Sequence, residues 1–354
     1  MTKNKIYSYS NTKPVTIISL NDTDNPRTGG EYVYQVIKKE LIRRGYPVTE
    51  YSLPVKLKRY HNLSVRRFLT PLYYLFFILI SIWKRYLSRD IVITSTSPGF
   101  PLFGDIVYHQ PKSSIGTDKK GLTFYEKTAM LIHENEFLSP LWLIAKNTHK
   151  IHISNSQFTQ KTLKDLYNID SKVIYPPVEV EKYLEVDLKN QRPYTILVSR
   201  PRGITGIGLL RDIIKELPLE TKVTIFGDAD ESGKITIQKI QEQGYKIEYL
   251  GWVNEQQKLE LFATHAFYLH LSQNEPFGIT LIEAMASGCV PIAPKSGGIP
   301  EYLPEQYLYA TPGDAVKKIL ENQSTLDNRR MLREIVSRFN REKFSDEIIK
   351  LIKA

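Results

Sequence analysis

Residues 274–288 read NEPFGITLIEAMASG, and the segments on either side of this stretch decide the fold. Ahead of it runs AFYLHLS (Ala266–Ser272), a short apolar segment of strand character. Behind it runs CVPIAPKSGG (Cys289–Gly298), a second apolar strand ending in a glycine loop. A strand, a helix and a strand in succession imply a parallel sheet with crossover helices. In such sheets ligands bind beyond the carboxyl ends of the strands, where AFYLHLS delivers Asn274–Gly278. Pro276 fixes its own φ, and Gly278 lets the backbone approach a ligand closely. The helix is expected to begin near Ile279, so the N–H groups around Gly278, Ile279 and Thr280 favour an anion such as a phosphate. Glu275 stands just outside the helix and Glu283 one turn in. Each carboxylate accepts hydrogen bonds from hydroxyls, at about 1.5–3 kcal/mol per charged bond. On spacing alone two readings stand: an anion site flanked by hydroxyl-binding acids, or one capping carboxylate and one solvated one.

The same rhythm extends outward in both directions. In the second half YTILVSR (Tyr194–Arg200), KVTIFG (Lys222–Gly227) and KIEYLGWV read as strands separated by helical patterns. In the first half VTIISL (Val15–Leu20) reads as a buried strand. GGEYVYQVIKKELIRRGYPVTEYSL then reads as a glycine turn, a helix and a second strand, with Val33, Val36, Ile37 and Leu41 at helical spacing. DIVITSTSP (Asp90–Pro98) and GDIVYHQP (Gly104–Pro111) are further strands, and KIHISNSQFTQKTLKDLYNI gives a strand, an Asn-Ser cap and a helix. The pattern breaks at SKVIYPPVEVEKY, where Pro176 and Pro177 form a stiff connector. The expected fold is therefore α/β: two Rossmann-like, doubly wound parallel-sheet domains facing a central cleft. Residues 1–175 form the first and 176–335 the second. Residues 336–354, ending in REKFSDEIIKLIKA, form a helix free to pack back on the first domain.

A chain of 354 residues has room for two such domains. Its single cysteine, Cys289, excludes an intramolecular disulfide framework and fits a reducing cytoplasm. The first residues, MTKNKIYSYSNTKP, lack the apolar core of a signal peptide, so a cytoplasmic location is expected. The net charge of +10 is unevenly spread. Between Tyr51 and Arg89 the chain carries Lys56, Lys58, Arg59, Arg66, Arg67, Lys84, Arg85 and Arg89, with no Asp or Glu before Asp90. Within this segment lies LTPLYYLFFILISIW (Leu69–Trp83), shorter than the roughly 20 apolar residues of a spanning helix. It is either a core helix, an element resting on an anionic membrane surface through residues 56–89, or part of a nucleic-acid groove.

The string NEPFGITLIEAMASGCVPIAPKSGGIPE resembles the E-x7-E signature of family-4 retaining glycosyltransferases, which have the GT-B fold. The resemblance covers nearly the whole chain. GGEYVYQVIKKEL is similar to that family's first glycine loop, SNSQFT and VIYPPVEVEKY to its interdomain crossing, and YLGWVNEQQKLELFATHAFYLHLSQNEPFG to its run into the donor site. VYHQP is similar to the lipid-linked-oligosaccharide mannosyltransferases of the family. The resemblance implies that Glu275 contacts the transferred hexose and Glu283 the ribose of a GDP- or UDP-linked sugar. It implies that the backbone at Phe277, Gly278 and Ile279 meets the hexose hydroxyls and the β-phosphate. It places Gly29 and Gly30 near the diphosphate and His109 near the donor sugar. Arg200 fits the family's phosphate-neutralising arginine. Thr205, however, stands where the family has a lysine, and Arg202 is the nearby guanidinium suited to compensate.

The triplets Asp22–Asp24 (DTD) and Asp228–Asp230 (DAD) look like metal-binding Asp-x-Asp motifs, but aspartates also serve turns, and octahedral sites need more ligands than one triplet offers. No metal and no cofactor is expected. The functional expectation is a retaining, metal-independent hexosyltransferase that moves mannose or glucose to a glycan or lipid-linked acceptor on the cytoplasmic face of a membrane. Thr205 keeps open a non-catalytic binding protein on the same fold, and the basic charge keeps open a nucleic-acid-modifying glucosyltransferase, although no nucleic-acid partner is expected.

Overall fold

The computed structural model describes residues 12–19, 29–52, 75–96, 103–110, 151–199 and 203–353. These residues fall into two compact units. One takes the chain up to Pro177 together with the segment from Arg341 onward, and the other takes Val178–Asn340.

The first unit holds a six-stranded sheet in the order β2-β1-β3-β4-β5-β6. Its strands are β1 (Val15–Ser19), β2 (Val48–Ser52), β3 (Ile91–Thr96), β4 (Ile106–His109), β5 (Ile151–Ser154) and β6 (Lys172–Val173). Every pairing is parallel. All five residues of β1 are buried, as expected of a parallel strand covered on both faces. Helix α1 (Gly29–Arg43) sets Val33, Tyr34, Val36, Ile37 and Leu41 into the core. Gly29 and Gly30 are its first two residues and not a turn ahead of it. The Tyr34 hydroxyl donates to the carbonyls of Thr94 (3.0 Å) and Tyr108 (3.1 Å), tying the helix to β3 and β4.

Residues 75–82 form α2, continued by a π-helical turn over Trp83–Leu87. Phe77 is buried against Ile18 and Val92, which anchors the helix to the sheet. Leu75, Phe76, Leu79, Trp83, Tyr86 and Leu87 are exposed, with Leu75, Leu79, Trp83 and Leu87 recurring every fourth residue. The element is thus a core helix on one side and an apolar surface on the other. Lys84 pairs with Asp90 (3.2 Å) and Arg85 with Asp105 (3.4 Å). Lys56, Lys58, Arg59, Arg66 and Arg67 lie outside the described residues. No described helix is long and apolar enough to cross a membrane. Helix α3 (Gln157–Tyr167) begins at Ser156, whose side chain accepts from the Thr159 N–H.

The second unit has the sheet order β12-β11-β10-β7-β8-β9. Its strands are β7 (Thr195–Ser199), β8 (Lys222–Phe226), β9 (Ile247–Gly251), β10 (Phe267–Leu269), β11 (Val290–Pro294) and β12 (Leu308–Tyr309). The order reverses between β7 and β10, which makes that edge the switch point where a doubly wound sheet opens a crevice. Its helices are α4 (Glu181–Leu184), α5 (Gly203–Glu216), α6 (Glu231–Glu242), α7 (Glu255–Thr264), α8 (Ile279–Ala286), α9 (Pro312–Glu321) and α10 (Leu326–Val336). Side-chain caps fix four starts: Asp230, Asn254, Thr311 and Thr325. The last helix, α11 (Arg341–Lys353), belongs to the first unit, where Phe344, Ile348, Ile349 and Ile352 share a core with Val33, Ile37 and Leu41 of α1. The expectation of two doubly wound parallel α/β sheets holds.

Candidate active site

Strand β10 ends at Leu269, beside β7 at the switch point, and the chain then turns through Asn274–Gly278 into α8. Two backbone positions make this turn. Asn274 has φ 53°, the left-handed region that Asn tolerates, and its N–H donates to Ser296 Oγ at 3.0 Å. Gly278 has φ 90° and serves as the N-cap of α8. Its carbonyl accepts from the Leu281 and Ile282 N–H groups, so the helix starts at Ile279 as the sequence indicates. The first N–H groups of α8, including those of Ile279 and Thr280, have no acceptor within the helix. They form the positive end of its dipole.

The loop after β11 presses on this turn from the side. Gly298 N–H donates to the Glu275 carbonyl at 2.9 Å. Gly297 sits at φ 69°, and a Cβ there would lie 2.3 Å from the Glu275 carbonyl oxygen. Only glycine allows the two backbones so close. From the other side Tyr302 donates its hydroxyl to the Phe277 carbonyl at 2.7 Å. The Phe277 ring packs against Tyr302 and Phe339, at 5.6 Å and 5.2 Å between centroids. Glu275, partly buried, is therefore carried on a backbone held at three points. Burial, with the Glu275 charge second, pushes the Tyr302 phenol far up, so it stays protonated and keeps the proton it donates to Phe277.

Glu283 is buried within α8. Lys258, on α7, reaches Glu283 Oε1 at 3.0 Å. The pair extends into a chain: Lys258 also meets Glu255 (3.0 Å), and Glu255 meets Lys182 (2.9 Å). Burial raises the Glu283 carboxyl above the usual carboxylate range, and Lys258 opposes that rise. The far end of α8 is tied down by two arginines. Arg192 donates to the carbonyl of Ser287, and Arg333 donates through Nε to that of Ala286 at 2.7 Å. Burial pulls the Arg192 guanidinium down to about 10. Burial pushes the thiol of Cys289, which lies near Arg192 and Arg329, up to about 12.

The turn, the helix start and both glutamates come together in the second unit. Arg200 and Arg202, which come after β7 in the sequence, lie outside the described residues. Thr205 is in the first turn of α5, with its side chain outside the described ones. Asp230 caps α6 through the Gly233 N–H (2.8 Å), so the DAD triplet has a structural duty. Asp22–Asp24 lie outside the described residues. No group of three or more metal-binding side chains occurs among the described residues.

Gly29, Gly30 and His109 belong to the first unit. His109 is the last residue of β4 and is buried; its Nε2 lies 2.9 Å from Nδ1 of His152 on β5, the rings stacking at 5.2 Å. One imidazole donates to the other along that contact. Sequence reasoning missed Lys258, Tyr302, Gly297, Arg192 and Arg333. The SGG tripeptide carried a signal for Gly297; the long-range partners carried none.

Residues 181–353 match the family described as glycosyl transferases group 1. The chain is also similar to a GDP-Man:Man(3)GlcNAc(2)-PP-Dol alpha-1,2-mannosyltransferase of Dictyostelium discoideum, 22% identical over 75% of this chain and 57% of that one. A tRNA-queuosine alpha-mannosyltransferase of Drosophila melanogaster is 30% identical over 46% of this chain and 47% of that one. The chain spans about half the length of these curated relatives. Among solved structures, Anabaena Alr3699/HepE in complex with UDP aligns over 96% of this chain and 99% of its own, with TM-score 0.62 and 16% identity. The fold is GT-B.

Proposed function

We propose that the protein is a retaining glycosyltransferase that moves a hexose from a nucleoside-diphosphate sugar to a glycan or lipid-linked acceptor. The observation that carries this reading is the triply held turn at Glu275, set at the switch point of a sheet within the segment that matches group 1 glycosyl transferases and leading into the N-terminus of α8. In this reading the diphosphate lies at the α8 start near Gly278, Ile279 and Thr280, with Arg200 and Arg202 neutralising it as it leaves. The acceptor hydroxyl attacks from the face on which the diphosphate departs, and the diphosphate assists removal of its proton. Glu275 orients the hexose, Glu283 the ribose, and Gly29, Gly30 and His109 complete the donor side. Metal independence, and the choice between GDP and UDP and between mannose and glucose, belong to the same proposal. Loss of turnover in EDTA with recovery in Mn²⁺ refutes the metal-free form.

A donor panel tests the whole. Free nucleoside diphosphate is released from one nucleotide sugar, and Glu275→Ala lowers kcat by two or more orders of magnitude while leaving the fold intact, as loss of a transition-state contact does. Wild-type turnover in that variant removes Glu275 from the site; binding without release across acceptors favours a non-catalytic protein.

The exposed stripe of α2, within the basic segment 56–89, supports a peripheral position on an anionic, cytoplasmic membrane face. Co-sedimentation with anionic vesicles, weakened by Leu79→Glu, is the expected result. A second reading has the net charge of +10 and the tRNA-acting relative behind it: a nucleic-acid acceptor. RNA affinity that falls steeply with salt favours it over the membrane.

A further inference from the structure

Lys258 is an unusual neighbour for a ligand-binding carboxylate. It stands on α7, 25 positions from Glu283 in sequence, and places its ammonium 3.0 Å from Glu283 Oε1. The lysine is itself largely enclosed, at 16% side-chain exposure, so the contact is not a loose surface pair. Its other partner is Glu255, and its stem runs beside the Tyr183 ring at 5.9 Å from the ammonium to the centroid. An ionised carboxylate has about four acceptor positions on its two oxygens. The lysine takes one, on Oε1, which leaves about three, enough for two further donors.

We propose that Lys258 is a donor-positioning residue: it holds Glu283 as an oriented carboxylate whose remaining acceptor capacity takes both hydroxyls of the nucleotide ribose. This rests on the reading of Glu283 as the ribose-binding acid. The charged and titratable groups around Glu283 are few enough to assign. Lys258 and Glu255 face it from α7, and Lys182 and Tyr183 from α4. Arg333 and Arg329, on α10, direct their guanidiniums to backbone carbonyls at Ala286, Val186, Leu188 and Asn190. Arg192 likewise serves the Ser287 carbonyl. Lys258 is thus the cation in direct contact with the carboxylate. Without it, burial and the Glu255 charge both favour the protonated acid, which donates one hydrogen bond and accepts fewer.

The test is isothermal titration of the full chain with UDP and with GDP, and with their 2′-deoxy forms, between pH 5.5 and 8. Wild type is compared with Lys258→Met and Lys258→Arg. The diphosphate titrates in the same range for every variant, so the ratio of variant to wild type is the quantity read. Lys258→Met is expected to bind about tenfold more weakly at pH 5.5 and to approach wild type at pH 8, since one pKa step is a factor of ten. It should also lose discrimination against the 2′-deoxy nucleotide, and Lys258→Arg should restore both. In a Glu283→Gln background Lys258→Met should add no pH dependence. A wild-type protein that binds neither nucleotide, or binds ribo and deoxy forms alike, overturns the donor-site reading itself. A wild type that discriminates, with Lys258→Met tracking it within twofold at every pH, overturns the role of Lys258 alone. Where Lys258→Met does not fold, Lys258→Gln carries the same comparison.

Discussion

Gly297→Ala strains the turn at Glu275 through its backbone. The new Cβ would lie 2.3 Å from the Glu275 carbonyl oxygen, 2.7 Å from its nitrogen and 2.8 Å from the Asn274 carbonyl carbon. Ordinary contact begins at 3.4 Å, so the turn must retreat by about 1 Å, the difference between 3.4 and 2.3 Å. Alanine at φ 69° costs about 1–2 kcal/mol by itself. The retreat also breaks the Gly298 to Glu275 and Asn274 to Ser296 hydrogen bonds, each worth about 1 kcal/mol. The sum is about 3–4 kcal/mol, which lowers the melting temperature of a unit of this size by roughly 6–16 °C. Displacing a positioning group by about 1 Å costs on the order of 100-fold in turnover. Nucleoside-diphosphate release and calorimetric melting are measured on the same preparation. Wild-type kcat/KM together with a wild-type Tm in Gly297→Ala refutes the claim that this glycine holds Glu275.

The remaining predictions separate strain from chemistry. Gly208, inside α5, has no atom within 4 Å of an added Cβ, so Gly208→Ala should raise stability by about 0.5–1 kcal/mol in denaturant titration without changing turnover. Glu40 is held by Arg43 and Arg44, and the Arg43 hydrogen bond leads in drawing its carboxyl down from 4.5 to about 2. Its folded-state value is depressed, so its contribution is complete above pH 4.5 and is lost as pH falls toward 2. Glu40→Gln should remove on the order of 1–3 kcal/mol of stability at pH 7 and much less near pH 2, as chemical denaturation at the two values would show. Cys289, buried and pushed up to about 12, should resist thiol reagents at pH 8 until the chain unfolds; labelling at the rate of an exposed cysteine contradicts its placement.

Much of the architecture was legible because parallel strands covered on both faces read as unbroken apolar runs. VTIIS, TILVS and VPIAP needed no partner to be recognised. The elements that escaped are those whose patterns are short or mostly polar. LDNRRMLREIV buries only Arg329, Leu332 and Val336, and the two-residue β12 exists only as a partner of β11. Gly29 and Gly30 misled for a different reason. Glycine pairs signal turns by propensity, whereas the first turn of a helix makes little demand on it.

The candidate site divides along the same line, between what is local and what depends on tertiary contacts. The turn, its glycine cap and the two glutamates all belong to one contiguous stretch and are legible in that stretch alone. Their mechanical support comes from elsewhere: Gly297 and Tyr302 lie 22 and 27 positions beyond Glu275, and Phe339 sits at the end of the unit. Lys258 is the sharpest case. Its segment, NEQQKLELFAT, reads as an ordinary polar helix with a capping box at Asn254 and Gln257, and nothing in it marks one lysine for a buried acid. The pairing arises because α7 leads into β10 and α8 out of it, so the two helices adjoin across one short strand. The consequence for chemistry is specific. On the proposed reading two carboxylates of one motif meet the donor, and the protonation state in which Glu283 would meet it depends on a residue outside the motif. A chain with the same motif and a neutral side chain at position 258 should therefore bind its nucleotide with a steeper loss of affinity toward acid pH.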